Sequence, residues 1–207
     1  MKMISWLKSL NFTGYMLFSI GVGIIVGVLT VLGQGVLPGN WGTIANSGSV
    51  WLIPAFLVGG LGASKLKSAA ASILALCGMV IGYYGYSMII QDVPHSIFYI
   101  LVWTGAAILG GLIFGIAGYL WGQEQGSKHK YGSALIGGVF ITEGLDIYLH
   151  MDDYAHMLPV GAVKIFVGLI LLLVLERTNR ERVASLLALI PVILLGLIGY
   201  QLLHSIT

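Results

Sequence analysis

Charged residues are scarce in this chain of 207 residues: Asp, Glu, Lys and Arg make up 9% of it, whereas a typical soluble domain carries about 25%. Hydrophobic residues make up 57%, and the mean hydropathy is +0.95. A water-soluble fold could not hide so much apolar surface, so the solvent must be lipid. The net charge of +2 gives no indication of a nucleic-acid partner, and we expect none.

The signatures of several enzyme and metal-binding classes are also missing. Cys77 is the only cysteine, which excludes an intrachain disulfide and argues against a thiolate metal site. The chain has no P-loop, no nucleophile elbow, no H-E-x-x-H motif and no kinase signature. Its glycine runs lie inside apolar segments rather than between a strand and a helix, so dinucleotide binding is not implied. We therefore assign no catalytic residue and regard an enzyme as the less expected class.

Seven apolar segments are long enough to be membrane spans, since about 20 apolar residues cross the hydrocarbon core. Each should be a helix, because backbone polar groups find no water in lipid, and the period-two alternation of a membrane β-strand is absent. We predict one all-α domain, a transmembrane helical bundle over residues 1–207. The predicted spans are about 14–37, 47–63, 69–90, 97–121, 132–149, 158–175 and 183–203. The second is short and contains Pro54, so it is either kinked or partly re-entrant, and we expect it to cross.

The basic residues predict the orientation of the bundle. In a seven-span arrangement they flank the spans on one side only, and a six-span arrangement would put basic loops on both faces. The opposite loops contain Asp92, Asp152 and Asp153 and no Lys or Arg. The positive-inside rule then places the N-terminus in the cytoplasm and the C-terminus outside, in an inner (plasma) membrane. The basic positions are Lys2, Lys8, Lys65, Lys67, Lys128, Lys130, Arg177, Arg180 and Arg182.

Two partners besides the lipid bilayer are considered. The turn with Arg177, Arg180 and Arg182 is either a topogenic loop that touches anionic lipid or a docking site for a cytoplasmic protein. Glycines four apart, such as Gly23 and Gly27, allow close helix contacts, and they leave open whether the chain also forms a homo-oligomer.

Span five carries the most unusual chemistry. Glu143, Asp146 and His150 are three and four residues apart, so they share one helix face. Ionisable side chains inside a span are costly and usually face the bundle interior or a watery cavity. Lys164, six residues into span six, should lie at the same depth. We hypothesise that Lys164 pairs with Glu143 or Asp146, and the alternative is that it snorkels to the outer surface.

Other polar and aromatic residues are predicted at this level, and together they indicate an outward-facing polar pocket centred on span five. The acidic residues would relay protons or hold the amine of a substrate. The predicted substrate-binding residues are Glu143, Asp146, His150, Lys164, Gln34, Asn46, Trp51 and Tyr84.

The loop after span five contains side chains of the types that bind divalent transition metals: His150, Asp152, Asp153 and His156. Their spacing matches no known metal motif, and the alternative is a solvated polar cap on the end of a helix. A divalent metal is thus one candidate ligand, and no other cofactor is expected.

Three short stretches carry a resemblance. They are Gly33-Gln34-Gly35-x-Leu37-Pro38, then Trp41, and Ala45-Asn46-Ser47-Gly48-x-x-Trp51-x-x-Pro54-Ala55-Phe56, followed by Gly82-Tyr83-Tyr84. Over residues 30–90 the chain resembles a family of uncharacterised bacterial multipass membrane proteins. The resemblance implies a bacterial inner-membrane location. It implies no activity, because that family has none assigned.

Three functions remain open from the sequence. The first is a small transporter, or the substrate-binding membrane subunit of one, with a small molecule or ion as substrate. The second is an integral membrane enzyme that uses Glu143 and Asp146, with or without a metal. The third is a structural or regulatory membrane protein without a small ligand.

Overall fold

The computed structural model describes residues 10–123, 128–176 and 178–204, and every regular element in these ranges is helical. Seven helical segments are long and apolar enough to cross a membrane, and the second of them is the run Gly39–Leu61, which includes two short turns before its main helix. This confirms the predicted all-α transmembrane bundle. The helices are α1 (Phe12–Val36), α2 (Gly48–Leu61), α3 (Lys65–Ile89), α4 (Ile97–Gly122), α5 (His129–Leu149), α6 (Leu158–Leu175) and α7 (Asn179–His204).

Glycines bring the backbones of α1 and α3 into direct contact. A Cβ atom on Gly23 would strike the backbone of Ala75, and one on Gly82 would strike that of Ile24. Gly23 of α1 therefore meets Ala75 of α3, and Ile24 meets Gly82. Residue numbers at the contact increase in the same direction along both helices, so α1 and α3 are parallel. Small residues four apart permit this close approach.

Helices that follow one another along the chain run in opposite directions. Most of the other contacts are made around two helices, α2 and α5. Helix α2 packs between α3 and α4, and α5 packs against α4, α6 and α7. Phe56, Met79, Phe114 and Ile136 form the core where α2 to α5 meet. Large apolar side chains cover the outer faces of the bundle, as expected of helices that face lipid; examples are Leu17, Ile25, Leu109, Val174 and Leu195.

Helix α2 is too short to cross alone. Its 14 residues reach about 21 Å at ~1.5 Å per residue, and the hydrocarbon core is about 30 Å thick. A 3₁₀ turn (Gly39–Trp41) and a short helix (Gly42–Ala45) precede it and extend the helical run to 23 residues, and the short helix packs against α1. The first residues of α2 therefore lie inside the bundle, where Ser47 and Ser49 are buried.

The bundle has two chemically different ends. The acidic end comprises residues 37–47, 90–96 and 150–157 and the adjoining helix ends. The basic end comprises residues 62–64, 128, 176 and 178–182 with theirs. Which membrane side each end faces stays a prediction. Lys2, Lys8 and Arg177 lie outside the described residues.

Candidate functional site

Glu143 joins three helices near the acidic end. Its Oε1 atom lies 3.0 Å from the Nζ atom of Lys164 on α6. Its Oε2 atom accepts hydrogen bonds from the Ser47 hydroxyl at 2.6 Å, from the Ser49 backbone N–H at 3.2 Å, and from the Ser49 hydroxyl. Of the two alternatives left open for Lys164, the ion pair is the one observed, and its partner is Glu143.

This junction explains why a carboxylate is tolerated inside the bundle. The Lys164 side chain is 6% exposed and that of Glu143 is 13% exposed, so Lys164 does not snorkel to the surface. Buried charges of this kind need a close counter-ion and further hydrogen bonds. The start of α2 also supplies unpaired N–H groups and the positive end of the helix dipole, which favour a carboxylate. Both oxygens of Glu143 are thus engaged in holding α2, α5 and α6 together.

Asp146 and His150 form a second contact one turn along α5. The Nδ1 atom of His150 lies 3.3 Å from Oδ1 of Asp146 and 3.0 Å from the Asp146 carbonyl oxygen. Asp146 is buried, whereas the His150 side chain is 37% exposed. Tyr200 of α7 lies close enough to interact electrostatically with both Asp146 and Glu143. Glu143 thus faces α2 and α6, and His150, the residue that follows α5, contacts Asp146 one turn back on the same helix.

A partly open cavity of about 340 Å³ lies beside this junction, between α2, α3 and α4. Three of the predicted site residues line it, namely Asn46, Trp51 and Tyr84. Gln34, Glu143, Asp146, His150 and Lys164 are not among its lining residues, so this cavity is not centred on α5. The remaining lining residues are Ser47, Gly48, Leu52, Leu76, Tyr83, His95, Tyr99, Trp103, Ala106, Ala107 and Gly110.

Packed rings build one wall of the cavity. The ring centroids of Trp51 and Tyr83 are 5.8 Å apart, those of Tyr83 and Tyr84 are 5.1 Å apart, and those of Tyr84 and His95 are 4.9 Å apart. A hydrogen bond of 2.8 Å between Ser87 Oγ and His95 Nε2 fixes the imidazole. The indole N–H of Trp51 is buried and has no hydrogen-bond partner in the part of the chain that the structure describes.

The cavity and the ion pair share a wall. Ser47, which lines the cavity, donates its hydroxyl hydrogen bond to Glu143, so the carboxylate lies directly behind the cavity surface. The segment before α2 is held from the other side, where Asn40 Nδ2 donates to the His156 carbonyl at 2.7 Å. The loop after α5 therefore packs over the break in the second span.

Comparison with known proteins identifies a family that the chain matches. A model of a family of unknown function, DUF6518, matches residues 8–206, which include all seven helices. The chain belongs to this family. The expectation that the chain falls in a family without an assigned function is confirmed. No curated protein and no solved structure matches the chain.

The metal site predicted from the loop of this DUF6518 member finds no geometric support. Asp152, Asp153 and His156 are exposed to solvent. Within residues 10–123, 128–176 and 178–204, no three His, Cys, Asp or Glu side chains are grouped so that they could hold an ion. His150 instead contacts Asp146.

Glu176, at the basic end, is a buried acidic residue that the sequence analysis did not select. Its Oε1 atom accepts hydrogen bonds from Ser185 at 2.6 Å and from Ser133, and its Oε2 atom lies 3.4 Å from His129 Nε2. Residues of α5 and α7 thus meet the end of α6 at this carboxylate. In the sequence Glu176 adjoins Arg177 and has the appearance of a residue in a charged loop. Ser133 and Ser185, near the corresponding ends of spans five and seven, could have indicated hydrogen-bond partners for a buried carboxylate.

Proposed function

We propose that this protein is a small transporter, or the substrate-binding membrane subunit of one, and that it takes a small molecule into the cavity between α2, α3 and α4. The cavity carries the proposal. It reaches from the acidic end, where Asn46 and Tyr99 are exposed, to Gly110, thirteen residues into α4. Ligand sites in helical bundles are clefts of this kind, mostly apolar with a few polar groups.

The break in the second span supports the same proposal. Discontinuous helices that begin inside the bundle are typical of transporter binding sites, because they expose backbone polar groups at depth. Helix α2 begins in this way at Gly48, with Ser47 as its N-cap, and Asn46, Ser47 and Gly48 all line the cavity. The Glu143–Lys164 pair stabilises the break without occupying the cavity.

We further propose a location in the bacterial inner membrane with the acidic end outside. The sequence supports this through two observations: basic residues at one end only, and the resemblance over residues 30–90. The seven apolar helices make the chain a multipass membrane protein.

Native mass spectrometry of the protein released from lipid nanodiscs tests the proposal. We expect a bound small molecule of constant mass on the wild-type protein and its loss in Ala106→Trp, because the indole would fill the cavity from α4. Leu109→Trp is the matched control, since Leu109 lies on the same helix, is 64% exposed and does not line the cavity.

Two results would contradict the proposal. One is a wild-type protein that carries nothing but bulk lipid. The other is a bound species that survives Ala106→Trp as well as it survives Leu109→Trp. Both variants should retain the helix content of the wild type, which circular dichroism checks.

A further inference from the structure

We infer that the cavity between α2, α3 and α4 selects an organic cation with apolar substituents, such as a quaternary ammonium or a protonated amine. The inference rests on the proposed function, because it names the ligand class of the same cavity. Three properties of the cavity carry it: its rings, the charges near it and its floor.

The rings supply a surface that attracts positive charge. Trp51, Tyr83, Tyr84, Tyr99 and Trp103 line the cavity together with the imidazole of His95. A cation within about 6 Å of an aromatic ring is attracted by the negative face of its π-system, most strongly at Trp and when water is excluded. Contributions from several rings around one site make such a cavity favourable for a cation.

The charges near the cavity oppose an anion. None of the lining residues is Asp, Glu, Lys or Arg. The only lysine or arginine in the described part of the acidic end is Lys164, which is buried and bound to Glu143. The imidazole of His95, which lines the cavity, shares a hydrogen bond with Ser87. A buried anion needs a charged or hydrogen-bonding partner, and no lysine or arginine lines the cavity to provide a permanent positive charge.

The acidic end also has an electrostatic field that favours cations. Its described residues carry five carboxylates, whereas Lys164 supplies the only ammonium group among them. Excess charge of one sign around a cleft raises the local concentration of ions of the opposite sign. The effect reaches over a Debye length of about 8 Å at physiological salt. The carboxylates are Asp92, Glu143, Asp146, Asp152 and Asp153.

The floor of the cavity, formed by Leu52, Leu76 and Gly110, offers no ligand to a bare inorganic ion. Leu52 and Leu76 meet at Gly110, where an added Cβ would lie 3.2 Å from Leu52 Cδ2 and 3.4 Å from Leu76 Cδ1. These apolar groups give a hydrated or oxygen-coordinated ion nothing to bind. A cation that carries methyl or larger apolar groups satisfies the floor and the rings together.

Isothermal titration calorimetry in nanodiscs with matched probes tests the inference. The probes are choline and acetylcholine, each compared with its uncharged isostere in which carbon replaces the ammonium nitrogen. We expect the cation of at least one pair to bind about tenfold more tightly than its isostere. Tyr99→Leu should weaken cation binding about two- to fivefold.

The neighbour of Tyr99 provides the control. Phe98 is 53% exposed and does not line the cavity, whereas Tyr99 is 45% exposed and lines it, so Phe98→Leu should leave cation binding unchanged. Trp51 is a second lining position for this test. Trp51→Phe keeps an aromatic ring and should retain tighter binding of the cation than of its isostere, whereas Trp51→Leu should lose this preference.

The outcomes separate the inference from the proposed function. Equal effects of Tyr99→Leu and Phe98→Leu on cation binding overturn the inference and leave a small-molecule site in place. Failure of every cationic probe to bind more tightly than its isostere also overturns it. If, in addition, no bound species is lost in Ala106→Trp, the proposed function fails too.

Discussion

Removing the ammonium of Lys164 should destabilise the folded protein strongly. Lys164→Met keeps most of the side-chain length and leaves the buried Glu143 carboxylate without the charge that lies 3.0 Å away. Breaking a buried ion pair by removing one partner costs about 3–5 kcal/mol. Because Ser47 and Ser49 still donate to Glu143, we expect the lower part of that range, about 3 kcal/mol.

The reverse change should cost a similar amount, and the double variant should cost much less than the sum. Glu143→Gln leaves the Lys164 ammonium buried without a counter-ion. In the double variant both charges are gone, and the amide oxygen still accepts hydrogen bonds from Ser47 and Ser49. We therefore expect a coupling energy of about 2–3 kcal/mol between the two positions.

The assay is reversible unfolding in mixed micelles of a mild detergent and sodium dodecyl sulfate, followed by circular dichroism for all four proteins of the cycle. If the loss of unfolding free energy in the double variant equals the sum of the two single losses to within about 0.5 kcal/mol, the ion pair is not a stabilising contact. Asp152→Asn combined with Lys164→Met is the control, because the exposed Asp152 should show no coupling.

Two further predictions use the same unfolding assay. Gly23→Ala should lower the free energy of unfolding by about 1–3 kcal/mol, because the methyl group would strike the backbone of α3, whereas Gly21→Ala has nothing within 4 Å and should be nearly neutral; equal effects would contradict the α1–α3 contact. Glu176→Ala should cost about 1–3 kcal/mol, because buried serine hydroxyls lose their acceptor, and Glu176→Gln should recover most of it. A fully tolerated Glu176→Ala would show that this carboxylate does not hold the helices together.

The sequence was sufficient for the helices, and it gave the ion pair of Lys164 with Glu143 or Asp146 as one of two alternatives. Span length and hydropathy are local properties, and the bilayer imposes one thickness on every crossing. Because the thickness is fixed, the depth of a residue in the membrane can be estimated from its distance along the chain to the nearest loop. Glu143 and Lys164 lie equally far from the loop between α5 and α6, so they can make contact if these two helices are neighbours.

The sequence was not sufficient for the position of the cavity. Spacing along a helix shows which side chains share a face, but it does not show which helix that face meets. The face of α5 with Glu143 meets the buried start of α2, and the cavity lies on the far side of Ser47. The serine partners of Glu143 were hidden for the same reason, since nothing local to Ser47 and Ser49 shows that the second span begins inside the bundle.

The measurement that tests the central claim most directly is an experimental density map of the protein as purified in lipid nanodiscs. The account predicts density for a compact molecule in the cavity, in contact with Trp51, Tyr99 and Trp103, with the Glu143–Lys164 pair intact behind Ser47. A cavity filled by the protein's own side chains, or by an acyl chain that enters from the bilayer, would contradict it.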